Sequence, residues 1–347
     1  KPDVIGFSCY IWNWQMTKEL MVEVKKLLPQ TDIFLGGPEV SYEAEKIMEQ
    51  YGRADEETGN GPVIRGIILG EGEKTFCELV EYYAQREDHN LLQDIKGLLL
   101  DTGYTGVREP LSFSEIPFLY EEQRLSGKGL QDFRNKIIYY ESSRGCPFRC
   151  SYCLSSIDKT LRLRDVNRVL PELQFFLDCK VPQVKFIDRT FNCNRAHAMA
   201  IWQYLTEHDN GVTNFHFEIA AELITEEELE LFQKMRPGLI QLEIGVQTTN
   251  PKTLKAIHRS ADMTHLSQIV ERIRTGRNIH VHLDLIAGLP EEDYESFVHS
   301  FNEVYAMKPE QLQLGFLKVL KGTEISLRKE EYGLVHQSIP PYEVLYT

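Results

Sequence analysis

The sequence lacks three features, and each absence excludes a class of protein. No apolar run reaches the ~18 residues that a membrane-spanning helix needs, so no span is expected. Positive charge is scarce: 38 Lys and Arg stand against 52 Asp and Glu, and the net charge of −14 argues against a nucleic-acid-binding surface. The chain begins Lys1-Pro2-Asp3 with neither an initiator methionine nor a signal peptide, so we expect its N-terminus to be incomplete.

Cysteine is too sparse for a disulfide framework. Seven cysteines are spread over 347 residues and three of them are clustered, which fits a reducing cytoplasm. The other four, Cys9, Cys77, Cys179 and Cys193, are interpreted as packed thiols. A hydrophobic content of 42% and a charged content of 26% are typical of a globular protein, and the length suffices for two domains.

The three clustered cysteines, Cys146, Cys150 and Cys153, follow a strand-like run at 136–140 with the spacing C-x3-C-x2-C. Three thiolates on one short loop can bind three irons of a 4Fe-4S cluster and leave the fourth iron open. A structural zinc site is the main alternative, but it needs four ligands, and the sequence has no second Cys-x-x-Cys or Cys/His pair. Three buried thiols without a metal are the remaining interpretation.

Strand and helix patterns alternate from residue 136 towards the C-terminus. The predicted strands are 136–141, 184–188, 214–220, 239–247, 279–286 and 311–318. The predicted helices between them are 163–178, 195–208, 225–235, 263–275 and 293–306. Helices that connect successive strands predict a parallel sheet.

The later strands alternate apolar and polar residues, so each strand has one polar face. Since the helices would cover the apolar face, the polar face suits the lumen of a barrel or half-barrel that holds a polar ligand. His216, His280 and His282 lie on these polar faces and are interpreted as core histidines. Their spacing in the sequence does not indicate a mononuclear metal site.

Residues 1–86 also alternate strand and helix, with predicted strands at 4–8, 32–35 and 66–69. The second strand ends in glycines 36–37, and the third ends in Gly70-Glu71-Gly72. In a parallel sheet such turns meet at one edge, where ligands bind. Residues 95–100 and 104–109 predict a small hairpin in the segment that follows.

With Tyr152 before its last cysteine, the cysteine motif resembles the signature of the radical S-adenosylmethionine (SAM) superfamily. The resemblance implies an α/β fold, with a partial (β/α)6 radical SAM barrel over 136–325. A flavodoxin-like (Rossmann-like) cobalamin-binding domain would precede it, and 1–86 resembles the later part of that domain. Residues 87–135 would be a linker with the small hairpin, and 326–347 the start of a C-terminal region.

The resemblance also implies which residues bind the cofactors. SAM would chelate the open iron of the 4Fe-4S cluster. The residues that would contact SAM lie on the cysteine loop and at the ends of later strands: Tyr152, Asp188, Arg189, Thr190, Glu218, Glu243, Gln247, Arg259 and Asp284. Those that would contact cobalamin lie in the glycine turns: Gly36, Gly37, Gly70, Glu71 and Gly72.

Three of these residues have more specific implied roles. Asp188 stands where the family usually has glycines, so we expect its carboxylate to bind the SAM ammonium group. Arg259 is expected near the SAM carboxylate, which suits a bidentate guanidinium, and Asp284 near the ribose. The alternative for each is an internal hydrogen bond or ion pair, and for Asp188 it is a turn shared with Asn192.

The implied function is that of a cobalamin-dependent radical SAM enzyme, which would generate a 5′-deoxyadenosyl radical and methylate an unactivated carbon. A radical SAM oxidoreductase or rearrangement enzyme is one alternative, and a non-catalytic cofactor-binding protein is another. A methylthiotransferase is disfavoured because no second cysteine triad occurs. The expected partners are a small-molecule or peptide substrate and an electron donor such as flavodoxin or ferredoxin, in the cytoplasm.

Overall fold

The structure is a computed structural model that describes residues 1–54, 61–84, 91–127, 129–133 and 135–347. The chain divides into two compact units, of which the first comprises Lys1–Leu111 and Gln337–Glu343 and the second Ser112–His336 and Val344–Thr347. No helix within the described ranges is long and apolar enough to cross a bilayer. The predicted linker at 87–135 lies partly outside the described residues, at 87–90, 128 and 134.

The first unit is built on a five-stranded sheet. Its elements in chain order are β1 (Val4–Ser8), α1 (Trp14–Leu27), β2 (Asp32–Gly36), α2 (Pro38–Ser41), α3 (Ala44–Tyr51), β3 (Gly66–Ile68), α4 (Glu73–Ala84), β4 (Leu98–Leu100) and β5 (Gly103–Tyr104). The strand order is β1-β2-β3-β4-β5, with the first three parallel and the last two antiparallel. The predicted hairpin is present, but it extends this sheet instead of standing in a separate linker.

Helices cover both faces of this sheet because its second strand, β2, is apolar on both faces. Ile33 and Leu35 of β2 belong to one core cluster, together with residues of α1 and α3. Phe34 points to the other face and packs with Leu79 of α4. All three strand residues are fully buried, as expected for a parallel strand between two helical layers.

The second unit carries the predicted strand–helix repeats. Its elements in chain order are α5 (Glu121–Leu125), β6 (Ile138–Tyr140), β7 (Ser143–Arg144), β8 (Arg162–Leu163), α6 (Val166–Asp178), β9 (Gln183–Phe186), α7 (Arg195–Glu207), β10 (Asn214–Ile219), α8 (Glu226–Phe232), β11 (Ile240–Gln247), α9 (Pro251–Ala256), α10 (Met263–Thr275), β12 (His280–Ala287), α11 (Tyr294–Ala306), β13 (Gln311–Phe316), α12 (Glu324–Leu327), β14 (Val335–His336) and β15 (Val344–Tyr346). The predicted bounds agree with these to within a few residues.

Six of these strands form one parallel sheet in the order β13-β12-β11-β10-β9-β6. Apart from β7 and β8, the connections between them are helical, so the predicted partial (β/α)6 arrangement is confirmed. The main core lies between this sheet and its helices, and it contains the apolar half of each alternating strand. Phe215 and Phe217 of β10 are fully buried there. The other face carries the polar half and forms the lumen.

The predicted C-terminal region, 326–347, is shared between the two units. β14 and β15 pair antiparallel, and the backbone N–H of Val344 donates to the carbonyl of Leu317 at 2.8 Å. Residues 337–343 between these strands belong to the first unit. There the hydroxyl of Tyr342 donates to the buried carboxylate of Glu39.

Candidate active site and cofactor-binding cavity

The cysteine loop follows β6 and is held by backbone contacts. β7 and β8 pair on its N-terminal side. Gly145 has φ +90°, and a Cβ there would lie 2.2 Å from the carbonyl oxygen of Thr160, so only glycine fits. On the other side Ser151 N–H donates to the carbonyl of Ile257 at 3.1 Å, and Ile325 N–H donates to the carbonyl of Ser151 at 3.0 Å.

The thiols of Cys146, Cys150 and Cys153 are free and line one cavity of about 370 Å³ in the second unit. Burial raises the pKa of the Cys150 thiol, and the Arg259 guanidinium opposes that rise. Three free thiols on one cavity wall are the ligands that a 4Fe-4S cluster with one open iron needs.

Asp188 does not face this cavity, contrary to its expected role as a partner of the SAM ammonium group. It is fully buried, and its carboxylate accepts hydrogen bonds from the Ser142 N–H at 2.9 Å, the Ser142 hydroxyl at 2.7 Å and the Ser143 hydroxyl at 2.5 Å. Its oxygens are thus engaged by the segment that enters the cysteine loop. Burial raises the pKa of Asp188 to about 6 in spite of these donors.

A buried histidine completes this network. Nε2 of His197 lies 3.1 Å from the hydroxyl of Ser142, and burial lowers the pKa of His197 to about 4, so the imidazole is neutral. The group ties β6, β9 and α7 together directly behind the loop that carries Cys146. We assign Asp188 a positioning role, as the partner that aligns the start of the cysteine loop.

The carboxylates of the lumen are held in different protonation states. Glu218 of β10 and Glu243 of β11 are register partners on paired strands. Contact with the His216 imidazole lowers the pKa of Glu243 to about 2. Burial, followed by the charge of Glu243, raises the pKa of Glu218 to about 7. Near neutral pH the Glu243 carboxylate is therefore charged, whereas the Glu218 carboxylate accepts or releases a proton.

Arg259 and Gln247 form the wall beside the cysteines. The Arg259 guanidinium donates to the carbonyl of Gly245 at 2.7 Å and lies 3.9 Å from Sγ of Cys150 and 3.5 Å from the Tyr152 hydroxyl. Gln247 ends β11 with φ +71°. Its Oε1 is buried and has no hydrogen-bond partner among the described residues, so a donor from a bound ligand would satisfy it.

The structure brings most of the sequence-predicted barrel residues to this one cavity. Besides the cysteines, the lining contains Tyr152, Arg189, Thr190, Glu218, Glu243, Gln247, Arg259 and Asp284. Residues that the sequence did not indicate also line it: Phe148, Ser155, Ile219, Ala220, Glu222, Gly245, His258 and Ser260. Several of these residues are adjacent in the sequence to predicted site residues. Their position in the same motif segments is the signal that could have identified them.

The glycine turns of the first unit end β2 and β3, which are neighbours in the sheet. Gly37 has φ +102°, and a Cβ there would lie 2.6 Å from the carbonyl oxygen of Cys9, so this glycine is required by the fold itself. Gly70 has φ +76° with nothing within 4 Å of its Cβ position. The Glu71 carboxylate accepts a hydrogen bond from the Leu111 N–H at 3.3 Å. Open space therefore adjoins Gly70 rather than Gly37.

Comparison with known families decides the identity of these two units. Residues 140–304 match the model of the radical SAM superfamily, and residues 1–80 match the B12-binding domain. The chain therefore combines a radical SAM domain with a B12-binding domain. The cofactors of this chain are accordingly a 4Fe-4S cluster, SAM and cobalamin.

Curated relatives span both units. The cobalamin-dependent radical SAM methyltransferase TokK of Streptomyces tokunonensis is 24% identical over 96% of this chain and 50% of its own length. The 2-(S-pantetheinyl)-carbapenam-3-carboxylate methyltransferase of Streptantibioticus cattleyicolor is 26% identical over 85% of this chain and 44% of its own length. The chain thus spans about half the length of these relatives.

Solved structures share the fold. TsrM from Kitasatospora setae, with cobalamin and a [4Fe-4S] cluster bound, has a TM-score of 0.71 at 17% identity, over 100% of this chain and 71% of that chain. OxsB with aqua-cobalamin and SAM bound has a TM-score of 0.66 at 18% identity, over 95% of this chain and 46% of that chain.

The residues present fit the cofactors of a radical SAM domain. Three free thiols face one cavity, as a cluster with one open iron requires. The same cavity holds an unsatisfied amide oxygen at Gln247 and carboxylates of the lumen. Both are partners for a ligand that carries an ammonium group and ribose hydroxyls.

Proposed function

We propose that this chain is the cofactor-bearing part of a cobalamin-dependent radical SAM methyltransferase that acts on an unactivated carbon. The observation that carries the proposal is the pairing of a B12-binding domain with a cavity in which three free cysteines face a polar lumen. Relatives matched across both units support methyl transfer, since their names include two methyltransferases and a hopanoid C-3 methylase.

When bound, the cluster and SAM supply a 5′-deoxyadenosyl radical, and cobalamin supplies a methyl group. Cys146, Cys150 and Cys153 would hold three irons of the cluster and leave the fourth for SAM. The Arg259 guanidinium, fixed by the carbonyl of Gly245, orients the SAM carboxylate beside Cys150. Radical chemistry on a substrate carbon needs a site from which free water is excluded.

The remaining polar residues position SAM within the lumen. Gln247 offers an unsatisfied amide oxygen to the SAM ammonium group, and Asp284 accepts from the ribose hydroxyls. Glu218, whose pKa is raised to about 7, gains a negative charge above neutral pH and then attracts the cationic ligand. In the first unit, Gly70 allows the corrin to approach the backbone.

The substrate is proposed to be a small molecule, in line with the carbapenam carboxylate named for one relative. An electron donor such as flavodoxin or ferredoxin would reduce the cluster. We assign the protein to the cytoplasm, because all seven of its cysteines are unpaired and an iron–sulfur cluster needs reducing conditions.

A second candidate is cofactor-dependent oxidation or cyclisation without methyl transfer. An anaerobic magnesium-protoporphyrin IX monomethyl ester cyclase of Cereibacter sphaeroides is 19% identical over 89% of this chain and 50% of its own length. The similarity therefore covers both units, as it does for the methyltransferases.

Product analysis separates these functions. The full-length protein, with cluster and cobalamin loaded anaerobically, is incubated with reductant, candidate small molecules and SAM that carries a deuterated methyl group. Methyl transfer predicts a product with the deuterated methyl, together with 5′-deoxyadenosine. Deoxyadenosine and an unmethylated product would favour the second candidate, and the absence of deoxyadenosine would indicate a non-catalytic protein.

A further inference from the structure

Two histidines and a carboxylate converge on the lumen side of the six-stranded sheet. His216 of β10, Glu243 of β11 and His282 of β12 each offer a ligand atom, and these atoms all lie within 4.8 Å of one another. Glu243 and His282 are register partners on paired strands, and His216 pairs with Gln241, two residues before Glu243. We call these three residues the lumen triad.

The imidazoles of the lumen triad are buried and poorly satisfied. His216 is 7% exposed and His282 is 4% exposed. Nε2 of His216 lies 2.8 Å from the Glu243 carboxylate, and Nε2 of His282 lies 3.0 Å from the Asp284 carboxylate. Neither nitrogen makes a hydrogen bond of good geometry within the described part of the chain. Each is therefore available as a lone-pair donor in its neutral form.

We propose that the lumen triad is a mononuclear site for a divalent transition-metal ion such as Zn²⁺ or Fe²⁺. Two imidazoles and one carboxylate are the donor set that these ions prefer, whereas Mg²⁺ and Ca²⁺ require oxygen ligands. The ion would be distinct from the cysteine-bound cluster, because of its three ligands only Glu243 lines the cysteine cavity.

The site has an internal competitor. Nζ of Lys185 lies 3.3 Å from the Glu243 carboxylate and 3.9 Å from the Glu218 carboxylate. A lysine ammonium at this distance offsets the negative charge of the carboxylate that the metal needs, and it repels a divalent cation. When the ion binds, Lys185 would keep Glu218 as its partner, so the metal and the lysine divide the two carboxylates between them.

Zinc binding by the whole chain tests the proposal. The starting protein is the full chain with Cys146, Cys150 and Cys153 changed to Ala, which removes the cluster ligands. Competition against a chromophoric chelator should give one bound Zn²⁺ per chain. His216→Gln and His282→Gln should each weaken binding at least a hundredfold. His280→Gln is the matched control, because His280 lies on the same strand outside the lumen triad, and it should bind like the starting protein.

Three results would overturn the proposal: no stoichiometric zinc in the starting protein, unchanged binding in both triad variants, or an equal loss in His280→Gln. Lys185→Gln should bind Zn²⁺ at least tenfold more tightly, and weaker binding would contradict the competition. X-ray absorption of the zinc-loaded starting protein tests the ligands directly, without substitutions in the lumen triad. A nitrogen and oxygen shell at about 2.0–2.1 Å with imidazole scattering supports the site, and sulfur at about 2.3 Å contradicts it.

Discussion

Replacing Gly145 by alanine should prevent the cysteine loop from holding its cluster. Gly145 directly precedes Cys146 and has φ +90°, and an added Cβ would lie 2.2 Å from the carbonyl oxygen of Thr160. That oxygen belongs to the backbone, so no side-chain rotation relieves the clash. Two backbone segments would have to separate by at least about 1.2 Å to bring this distance from 2.2 Å to the 3.4 Å of ordinary van der Waals contact.

The cost can be estimated from what this separation breaks. Alanine in the left-handed region costs about 1–2 kcal/mol. The separation also disrupts the pairing of β7 with β8 and the bond from the Cys146 N–H to the carbonyl of Asp158, at 3.4 Å. Each lost bond contributes about 1 kcal/mol. The total of roughly 3–5 kcal/mol falls on the loop that carries the first cysteine.

Anaerobic reconstitution followed by iron and sulfide analysis measures the effect. The Gly145→Ala protein should retain less than about a tenth of the cluster, since 1.4 kcal/mol corresponds to a factor of ten. Gly211→Ala is the control, because Gly211 also has a positive φ, +73°, but nothing within 4 Å of its Cβ position. A Gly145→Ala protein with the parent's iron and sulfide content would refute the reasoning.

Four further predictions concern Glu218, Asp188 and Gly70. The pKa of Glu218 is raised to about 7 from an ordinary value of 4.5, so SAM, a cation, should bind up to about tenfold more tightly at pH 8 than at pH 6. Calorimetric titration should show a smaller change of SAM affinity with pH in Glu218→Gln. A parent protein whose SAM affinity does not change with pH would contradict this prediction. In the absence of SAM, the Glu218 carboxyl contributes stability that is present below pH 4.5 and is lost as the pH rises through 7. The free energy of unfolding of the parent should therefore fall between pH 4.5 and pH 7, relative to that of Glu218→Gln. Asp188→Ala removes the carboxylate that accepts from three buried donors of Ser142 and Ser143, which should cost on the order of 3 kcal/mol and lower the thermal midpoint. An unchanged midpoint would remove the positioning role. Gly70→Phe should abolish cobalamin retention through desalting, whereas Gly103→Phe, equally open at its Cβ position in the same unit, should retain it; equal retention would place the corrin elsewhere.

Local sequence patterns predicted the elements of the second unit because each strand alternates polar and apolar residues. The alternation of Phe215 and Phe217 with His216 and Glu218 assigned the two faces of β10 correctly. The cysteine spacing was equally local, since all three thiols lie on one loop. These signals depend on neighbours in the chain, which sequence reasoning can see.

Features that depend on pairing between distant segments were not predictable. The serines that donate hydrogen bonds to Asp188 lie 45 and 46 residues away from it in the sequence. Because the sequence does not show this contact, it left the Asp188 carboxylate available to a ligand. The lumen triad comes from three strands, and only the register of the sheet brings His216, Glu243 and His282 together. The hairpin at β4 and β5 was recognised, but its pairing with β3 requires tertiary contacts.

The central claim is that Cys146, Cys150 and Cys153 form a SAM-cleaving centre at the mouth of the lumen. Quantifying 5′-deoxyadenosine, after anaerobic incubation of the reconstituted full-length protein with SAM and dithionite, tests it most directly. The account predicts deoxyadenosine in the parent and its loss, together with the cluster, in Cys150→Ala, while Cys193→Ala behaves like the parent. Deoxyadenosine formation at the parent rate in Cys150→Ala, or none in a parent that carries its cluster, would contradict the account.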